Sequence, residues 1–188
     1  QAKTLFPYTT LFRSRQDREP RAALRRSGSE AGGILIHRAT LHDLLFVAHN
    51  MREWDRREIF ATRWAEDPAE LAVDCWRARE NAWIARRDED SPPVAAIGAI
   101  QRWPSVWSVW MFATPQIGGC RLSLHRFVVR DMIPALRGSG ARRADCMSMD
   151  GHTDAHQWLE RLGARRTAEP FVNWGRGGET FWQYYWET

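Results

Sequence analysis

The chain of 188 residues contains few cysteines and no spacing that would hold a metal ion. Its three cysteines, Cys75, Cys120 and Cys146, lie far apart in the sequence and are odd in number. It has no CxxC pair and no cluster of cysteine with histidine. A disulfide-stabilised scaffold and a metal centre are therefore not expected, and a reducing compartment such as the cytoplasm is the simpler environment.

Long hydrophobic runs are also lacking. No stretch approaches the roughly 20 apolar residues that a membrane-spanning helix needs, so no membrane span is expected. The N-terminus does not show the basic, apolar and small-residue succession of a secretory signal. The net charge is only +4, and much of the excess comes from arginines before residue 33. Because the remainder is close to neutral, a nucleic-acid partner is not expected.

The first 32 residues lack periodicity and are rich in arginine, serine, glycine and glutamate. Residues 5–14 resemble translated sequencing-adapter read-through, and Gln1 is not a natural start. We expect residues 1–32 to be a disordered or artefactual leader, with a genuine flexible arm as the alternative. Residues 33–188 show no internal repeat and no second apolar block, so one domain is expected there.

Hydrophobic periodicity after residue 33 predicts helices separated by strands. The predicted strands cover residues 34–39, 81–86, 94–101, 105–114, 141–149, 165–174 and 179–187, and the predicted helices cover residues 41–51, 55–62, 67–76, 120–136 and 153–162. Thr40 and Asp67 are predicted N-caps, and Gly163 is predicted to end its helix in the left-handed conformation. Pro134 should lie in the last turn of its helix or end that helix early. This order predicts an α/β (α+β) fold with a mixed central β-sheet of about seven strands flanked by helices.

Residues 141–164 form the most informative unit, because a buried strand, a polar turn and a short helix follow one another there. The ending Leu162-Gly163-Ala164 resembles the last βαβ unit of the GNAT N-acyltransferase fold, where a helix ending in Leu-Gly-aromatic packs beside the cofactor. The order of elements resembles that fold across residues 33–188. The resemblance implies a protein that binds acetyl-CoA and transfers its acetyl group to an amine.

The loop before the predicted helix 120–136 is a second point of resemblance. In the family this loop reads Q/R-x-x-G-x-G/A, and its backbone N–H groups hold the coenzyme A pyrophosphate at a helix N-terminus. Here the loop is shorter and carries Gly118 and Gly119, with Arg121 as its basic residue. The resemblance implies that acetyl-CoA would be held by Phe112, Ala113, Thr114, Gln116, Ile117, Gly118, Gly119, Cys120 and Arg121. An ordinary strand-to-helix turn at the two glycines is the alternative interpretation.

The helix predicted at 153–162 departs from the family pattern. Many family members place an asparagine near its start and, four residues before the glycine, a tyrosine that protonates the departing thiolate. Those places hold His152 and Leu159 here, and leucine cannot donate a proton. His152 could donate or accept a proton near neutral pH. Alternatively, it is a polar turn residue beside the N-cap.

A general base is expected among three carboxylates. Asp55 and Glu58 are three residues apart, so they share one helix face, and neighbouring carboxylates can raise the pKa of one of them into a useful range. A solvated, salt-bridged helix face is the alternative, and charge runs of this kind favour it. Asp150 is the third candidate, because it ends a predicted central strand and ligands sit at strand ends in α/β sheets.

A further set of residues combines Met51-Arg52, Asp55, Glu58-Ile59, Trp103-Pro104, His152, Leu159 and Gly163-Ala164. This combination resembles GNAT-like internal virion proteins of short-tailed bacteriophages, which keep the acyltransferase outline and lose the usual tyrosine. Two functions are therefore expected as alternatives. One is an N-acetyltransferase, intact or degenerate. The other is a non-catalytic internal virion or host-interaction protein, located in the host cytoplasm or the virion, with virion or host proteins as partners.

Overall fold

The computed structural model describes residues 34–187, which form a seven-stranded sheet and six α-helices. The strands are β1 (Leu35–Arg38), β2 (Ala82–Arg86), β3 (Ala95–Trp103), β4 (Val106–Ala113), β5 (Arg143–Met149), β6 (Arg165–Arg166) and β7 (Phe181–Glu187). The helices are α1 (Leu41–His49), α2 (Glu53–Ala61), α3 (Pro68–Arg77), α4 (Arg121–Phe127), α5 (Ile133–Gly138) and α6 (Thr153–Arg161). The predicted leader, residues 1–32, lies outside the described residues.

The seven strands form one mixed sheet in the order β1-β2-β3-β4-β5-β7-β6. Neighbouring strands are antiparallel except β4 and β5, which run parallel. Strands β1–β4 therefore form one antiparallel block, β5–β7 form a second, and a single parallel pair joins them. The predicted α/β fold with a mixed sheet and flanking helices is confirmed. No helix within residues 34–187 has the length and apolar character that crossing a membrane would require.

The helices cover both faces of the sheet in two layers. Side chains alternate along a strand, so each face collects its own core. On one face, α1 and α3 pack Leu44 and their other apolar residues against Phe112 of β4, and α2 places Ala61 near β5 and β7. On the other face, α4 and α5 pack Leu124 and neighbouring residues against Trp83, and α6 lies beside them. Any site between β4 and β5 is thus enclosed by helices from both layers.

The predicted helix ends are confirmed where a side chain or a glycine decides them. Thr40 accepts a hydrogen bond from a backbone N–H in the first turn of α1. Asp67 does the same for α3, whose first residue is Pro68, a position where a missing N–H is harmless. Gly163 follows α6 with a φ of 81°. Local chemistry therefore fixes where these three helices begin or end.

Two predicted strands have different lengths in the structure. The strand predicted at residues 94–101 extends two residues further, because β3 continues to Trp103, which pairs with Val106, before the chain turns. Pro104 lies in the tight turn that follows, where no ladder N–H is required. The predicted strand 165–174 is reduced to β6 and one isolated bridge between Phe171 and Phe181. The chain after Phe171 reaches α2, where the Arg176 N–H donates to the Ala61 carbonyl at 2.7 Å.

The predicted helix 120–136 is interrupted. A π-helical turn, Val128–Met132, joins α4 to α5, and Pro134 lies in the first turn of α5. A proline ring clashes with the carbonyl four residues earlier in an α-helix. The wider π turn immediately before Pro134 relieves that conflict and lets the helical path continue to Gly138.

Helix α6 packs on β7 through aromatic contacts. His156 and Tyr184 have ring centroids 5.3 Å apart, and the Trp186 indole N–H donates to the Leu162 carbonyl at 2.9 Å. Burial lowers the pKa of His156 below its usual range, because the charged ring would lose water where it packs against Tyr184 of β7. The fold therefore favours the neutral form of this histidine.

We expect Gly98→Ala to destabilise the protein by about 1–3 kcal/mol, since a larger group would be forced into a filled space. Gly98 faces Trp110 across the β3–β4 pair. A Cβ at Gly98 would lie 2.7 Å from Trp110 Cε2 and 2.8 Å from the Asn81 carbonyl oxygen. Urea unfolding would measure the change. Gly138→Ala is the control, because a Cβ there meets no atom within 4 Å. Equal midpoints for the two variants would contradict the tight fit at Gly98.

The lowered pKa of His156 predicts a stability that depends on pH. The unfolded chain binds a proton at this ring more readily, so stability falls as the pH drops below about 6.5. His156→Gln should weaken that dependence, and unfolding midpoints at neutral and mildly acidic pH would show it. His42→Gln, at an exposed position on α1, should leave the dependence unchanged. An equal pH dependence in all three proteins would show that His156 does not contribute.

Candidate active site

The candidate active site begins where β4 and β5 separate. Their pairing covers only Val106–Arg143, Trp107–Ala144 and Ser108–Asp145. Beyond these pairs, residues 109–113 and residues 146–149 continue as strands without pairing to each other. The two strands thus enclose a wedge-shaped opening, and their carboxyl ends lie on either side of its wide end. A concave region lined by residues of both strands runs through this opening.

Helix α2 lies across the wide end of the wedge and is hydrogen-bonded to both strands. The carboxylate of Asp55 accepts the N–H of Ala113, the last residue of β4, at 2.7 Å. Oε2 of Glu58 accepts the N–H of Met149, the last residue of β5, at 3.2 Å. The same oxygen accepts the hydroxyl of Ser148 at 3.2 Å. One helical turn therefore fixes the separation of the two strand ends.

His152 joins the two carboxylates from the side of α6. Its Nδ1 lies 2.6 Å from Glu58 Oε2, and its Nε2 lies 3.9 Å from Asp55 Oδ1. The ring is 5 % exposed and stacks on Trp54, with ring centroids 5.4 Å apart and planes 12° from parallel. His152 occupies the N-cap position of α6, but its side chain makes no capping hydrogen bond because Glu58 binds it. It is therefore a buried partner of α2 and not only a polar turn residue.

The interpretation of Asp55 and Glu58 as a solvated helix face is wrong. Asp55 is 4 % exposed, and the side chain of Glu58 is 18 % exposed. The shared helix face predicted from their spacing is correct, but that face is turned toward β4, β5 and His152. Charge patterning along α2 could not show this, since the partners come from distant parts of the chain.

The two carboxylates differ in how many of their oxygens accept hydrogen bonds. Asp55 receives two hydrogen bonds from the Arg52 guanidinium, at 2.7 and 3.1 Å, in addition to the Ala113 N–H. Both of its oxygens are thus bound. Glu58 concentrates its three partners on Oε2, and Oε1 accepts no hydrogen bond from any residue between 34 and 187. Glu58 therefore keeps one oxygen available at the wide end of the wedge.

Asp150 lies apart from this cluster. It is exposed, and its carboxylate accepts the Trp182 indole N–H at 2.9 Å. No hydrogen bond or ion pair in the described part of the chain links Asp150 to Glu58, Asp55 or His152. Among the predicted catalytic residues, the structure brings together the other three.

The loop after β4 is a 3-10 segment, Pro115–Cys120, that leads into α4. Ile117 and Cys120 are buried and anchor it. Gly118 and Gly119 are exposed, have no left-handed φ, and would carry a Cβ without meeting any atom within 4 Å. The fold itself therefore does not require glycine at these two positions.

The other predicted cofactor residues divide into two groups. Phe112 is buried in the core beneath α1 and α3, and the N–H groups of Ala113 and Thr114 already donate to Asp55 and to the Val94 carbonyl. Gln116 and Arg121 are exposed beside the two glycines. The Arg121 guanidinium lies 3.0 Å from the Asp154 carboxylate, so an ion pair joins the starts of α4 and α6.

Leu159 and Cys146 are not suited to proton transfer or nucleophilic attack in their present surroundings. Leu159 is buried in α6 with 8 % exposure. Burial, with added repulsion from Glu58 and Asp145, raises the pKa of the Cys146 thiol well above its ordinary value, which disfavours the reactive thiolate. Among the described residues, no group of three histidine, cysteine, aspartate or glutamate side chains is arranged so that it could hold a metal ion.

Sequence reasoning missed several residues of the cluster. Arg52 could have been found from its position three residues before Asp55, since such pairs face each other on a helix. Trp54 and Ser148 gave no comparable signal, because the contacts they make with His152 and Glu58 depend on how α2 lies across the sheet. The same holds for Asp154 as the partner of Arg121.

Comparisons with solved structures identify the fold. Ard1 from Thermoplasma volcanium matches with a TM-score of 0.64 and 11 % identity, over 83 % of this chain and 98 % of that chain. A GNAT-family acetyltransferase from Bacillus anthracis matches with a TM-score of 0.56 and 13 % identity, over 82 % and 95 %. The acetyltransferase candidate yncA from Salmonella typhimurium, solved with its cofactor acetyl-CoA, matches with a TM-score of 0.60 and 15 % identity, over 82 % and 94 %. No protein-family model matches the chain, and no curated protein matches it in sequence. The described chain therefore has the fold of the GNAT acetyltransferases.

Proposed function

We propose that this protein is an N-acyltransferase that takes an acetyl group from acetyl-CoA and places it on an amine. One observation carries the proposal. Glu58 lies at the wide end of the wedge between β4 and β5, with one oxygen held by three donors and the other without a hydrogen bond from any described residue. A carboxylate that is fixed in position and still has a free oxygen is suited to take a proton from an incoming nucleophile.

The wedge supports the binding of an acyl-pantetheine arm. The facing edges of residues 109–112 and 146–148 are not paired to each other. Backbone N–H and C=O groups inside a protein need partners, and the amides of a pantetheine chain could supply them as an additional strand would. The yncA neighbour, which shares this fold, was solved with acetyl-CoA.

The Pro115–Cys120 loop, with its two glycines, supports the binding of the phosphate groups of acetyl-CoA. Gly118 and Gly119 leave open space that no part of the fold needs. They lie in the 3-10 segment that leads into α4, and the positive end of a helix dipole favours anions. Gln116 and Arg121 lie exposed beside them. These residues fit a phosphate-bearing ligand, whereas Phe112, Ala113 and Thr114 would serve mainly to position the loop.

Acetyl-CoA would supply a thioester whose carbonyl carbon accepts the amine nitrogen. A C–N bond forms, the C–S bond breaks, and Glu58 would take the proton that the nitrogen loses. Asp55 would hold the end of β4, and His152 would hold Glu58 in place through Nδ1. Leu159 cannot protonate the departing sulfur, so that proton would come from His152 or from water. Holding both reactants in the wedge would provide much of the rate.

A second candidate is a non-catalytic protein built on the same fold, including the internal virion or host-interaction role. Leu159 favours it, because a buried leucine stands where the family's proton donor is expected. The resemblance to bacteriophage virion proteins stays a prediction. This candidate differs from the first in one measurable respect, since it allows ligand binding without acetyl transfer.

Calorimetric titration of acetyl-CoA into the full chain tests the cofactor site. We expect saturable binding that Gly119→Trp weakens strongly without loss of thermal stability, since a Cβ there meets no protein atom within 4 Å and the larger side chain would occupy the ligand's space. Gly138→Trp, at an equally open position on α5, is the matched control and should bind normally. Absence of binding to the unaltered chain would overturn the proposed function.

Glu58→Gln tests the proposed base. We expect the rate of acetyl transfer to amines to fall by roughly 10²–10⁴-fold while acetyl-CoA affinity is retained. The released thiol can be followed with a chromogenic disulfide across a panel of polyamines, amino acids and peptides. Glu53→Gln removes an exposed carboxylate from the same helix and should leave turnover unchanged. If Glu58→Gln were as active as the unaltered protein, Glu58 would only fasten α2 to β5.

A further inference from the structure

The outward face of α4 and α5 carries uncompensated positive charge. Arg126, Arg130 and Arg137 are exposed and form no ion pair within residues 34–187. Leu122 and Val129 lie among them with 62 % and 45 % exposure. We call these five residues the arginine face. Asp131 is the acidic side chain of this helical segment, so positive charge dominates the surface.

The π-helical turn keeps this face aligned. The buried residues of the segment, Leu124, Val128, Met132 and Leu136, recur every four positions. A spacing of four drifts around a regular α-helix of 3.6 residues per turn, but a π turn takes up the extra residue. Residues on the opposite side, including Arg126 and Arg130, therefore stay on one outward line.

The arginine face adjoins the entrance to the wedge. Helix α4 begins directly after the Pro115–Cys120 loop, and Leu122 follows Arg121. Arg121 is already ion-paired with Asp154, so the loop itself presents little free positive charge to phosphates. Arg126 and Arg130 lie farther along the helical segment and do not line the concave region, whereas Leu122 and Arg137 do. This arrangement suits a large anionic partner more than a small ligand held entirely within the loop.

We propose that the acyl donor is presented by a small acidic carrier protein, whose phosphopantetheine arm enters the wedge while its acidic surface docks on the arginine face. This inference rests on the proposed acyltransferase function and specifies the class of donor. The bonds are the same as with coenzyme A. The thioester C–S bond breaks, the amide C–N bond forms, and the carrier leaves with a free thiol at the end of its arm.

The apolar members of the face favour a protein over a nucleic acid. Leu122 and Val129 are exposed among the arginines, and protein interfaces bury apolar side chains at their centre within a polar rim. A phosphodiester backbone offers no apolar surface for them, and arginine alone would suffice to bind it. Complementary charge would mainly speed the encounter and orient the carrier's arm toward the entrance.

Acetyl transfer from two donors tests this inference in the full chain. The donors are acetyl-CoA and an acetylated acyl carrier protein, each with an amine that the unaltered chain acetylates. For Arg126→Glu/Arg130→Glu, we expect kcat/KM with the carrier to fall by roughly tenfold or more, since charge reversal opposes the encounter. The value with acetyl-CoA should stay within about twofold, because neither Arg126 nor Arg130 lines the concave region that runs through the wedge. Arg79→Glu alters an exposed arginine after α3 on the opposite layer and should change neither value.

A binding measurement separates docking from chemistry. Carrier protein without its phosphopantetheine arm should bind the unaltered chain in a salt-sensitive manner and bind the double variant more weakly. Equal binding by both proteins would overturn the inference, as would tighter binding of a short duplex DNA or RNA than of the carrier. Transfer from acetyl-CoA with no effect of charge reversal on the carrier reaction would overturn this inference alone. Failure of both donors with the unaltered chain would overturn the proposed function as well.

Discussion

The hydrogen bonds gathered on Oε2 of Glu58 are the contact on which the rest of the site depends. One oxygen binds the Met149 N–H, the Ser148 hydroxyl and the His152 ring, and so connects α2 to β5 and to the start of α6. With Asp55 holding Ala113, the same helix also fixes β4. A single turn of α2 thus sets how far apart the two strands lie. The wedge is consequently a rigid opening and not a gap left by poor pairing.

Placing carboxylates at this point is costly, because charges lose hydration when they are buried. The structure offsets the cost by giving Asp55 the Arg52 guanidinium and a backbone N–H, which together occupy both of its oxygens. Glu58 differs, since its partners within residues 34–187 all bind one oxygen and leave the other without a hydrogen bond. Asp55 therefore fastens α2 to the end of β4, whereas Glu58 would supply the proton transfer that the proposed function requires.

Local chemistry explains which parts of the molecule could be predicted from sequence. Thr40, Asp67 and Gly163 mark helix ends through short-range hydrogen bonds or backbone preference, and the alternation of helices and strands led to the correct fold class. The partnership of Glu58 with His152 joins residues 94 positions apart, and periodicity contains no information about such a pair. The shortened β6 was mispredicted for the same reason, because the chain beyond it folds onto α2. The two glycines of the loop were recognised, although only the structure shows that the fold does not need them.

The narrow contact between β4 and β5 also governs the mechanics of the whole domain. Three residue pairs are the sheet's only hydrogen-bonded seam between the blocks β1–β4 and β5–β7 within the described chain. A ligand that forms hydrogen bonds with both strands beyond that seam would connect the block β1–β4 to the block β5–β7. Its binding free energy would then add to the cooperativity of unfolding, so the melting temperature would rise with ligand concentration. The melting temperature would in that case indicate what fraction of the protein has ligand bound.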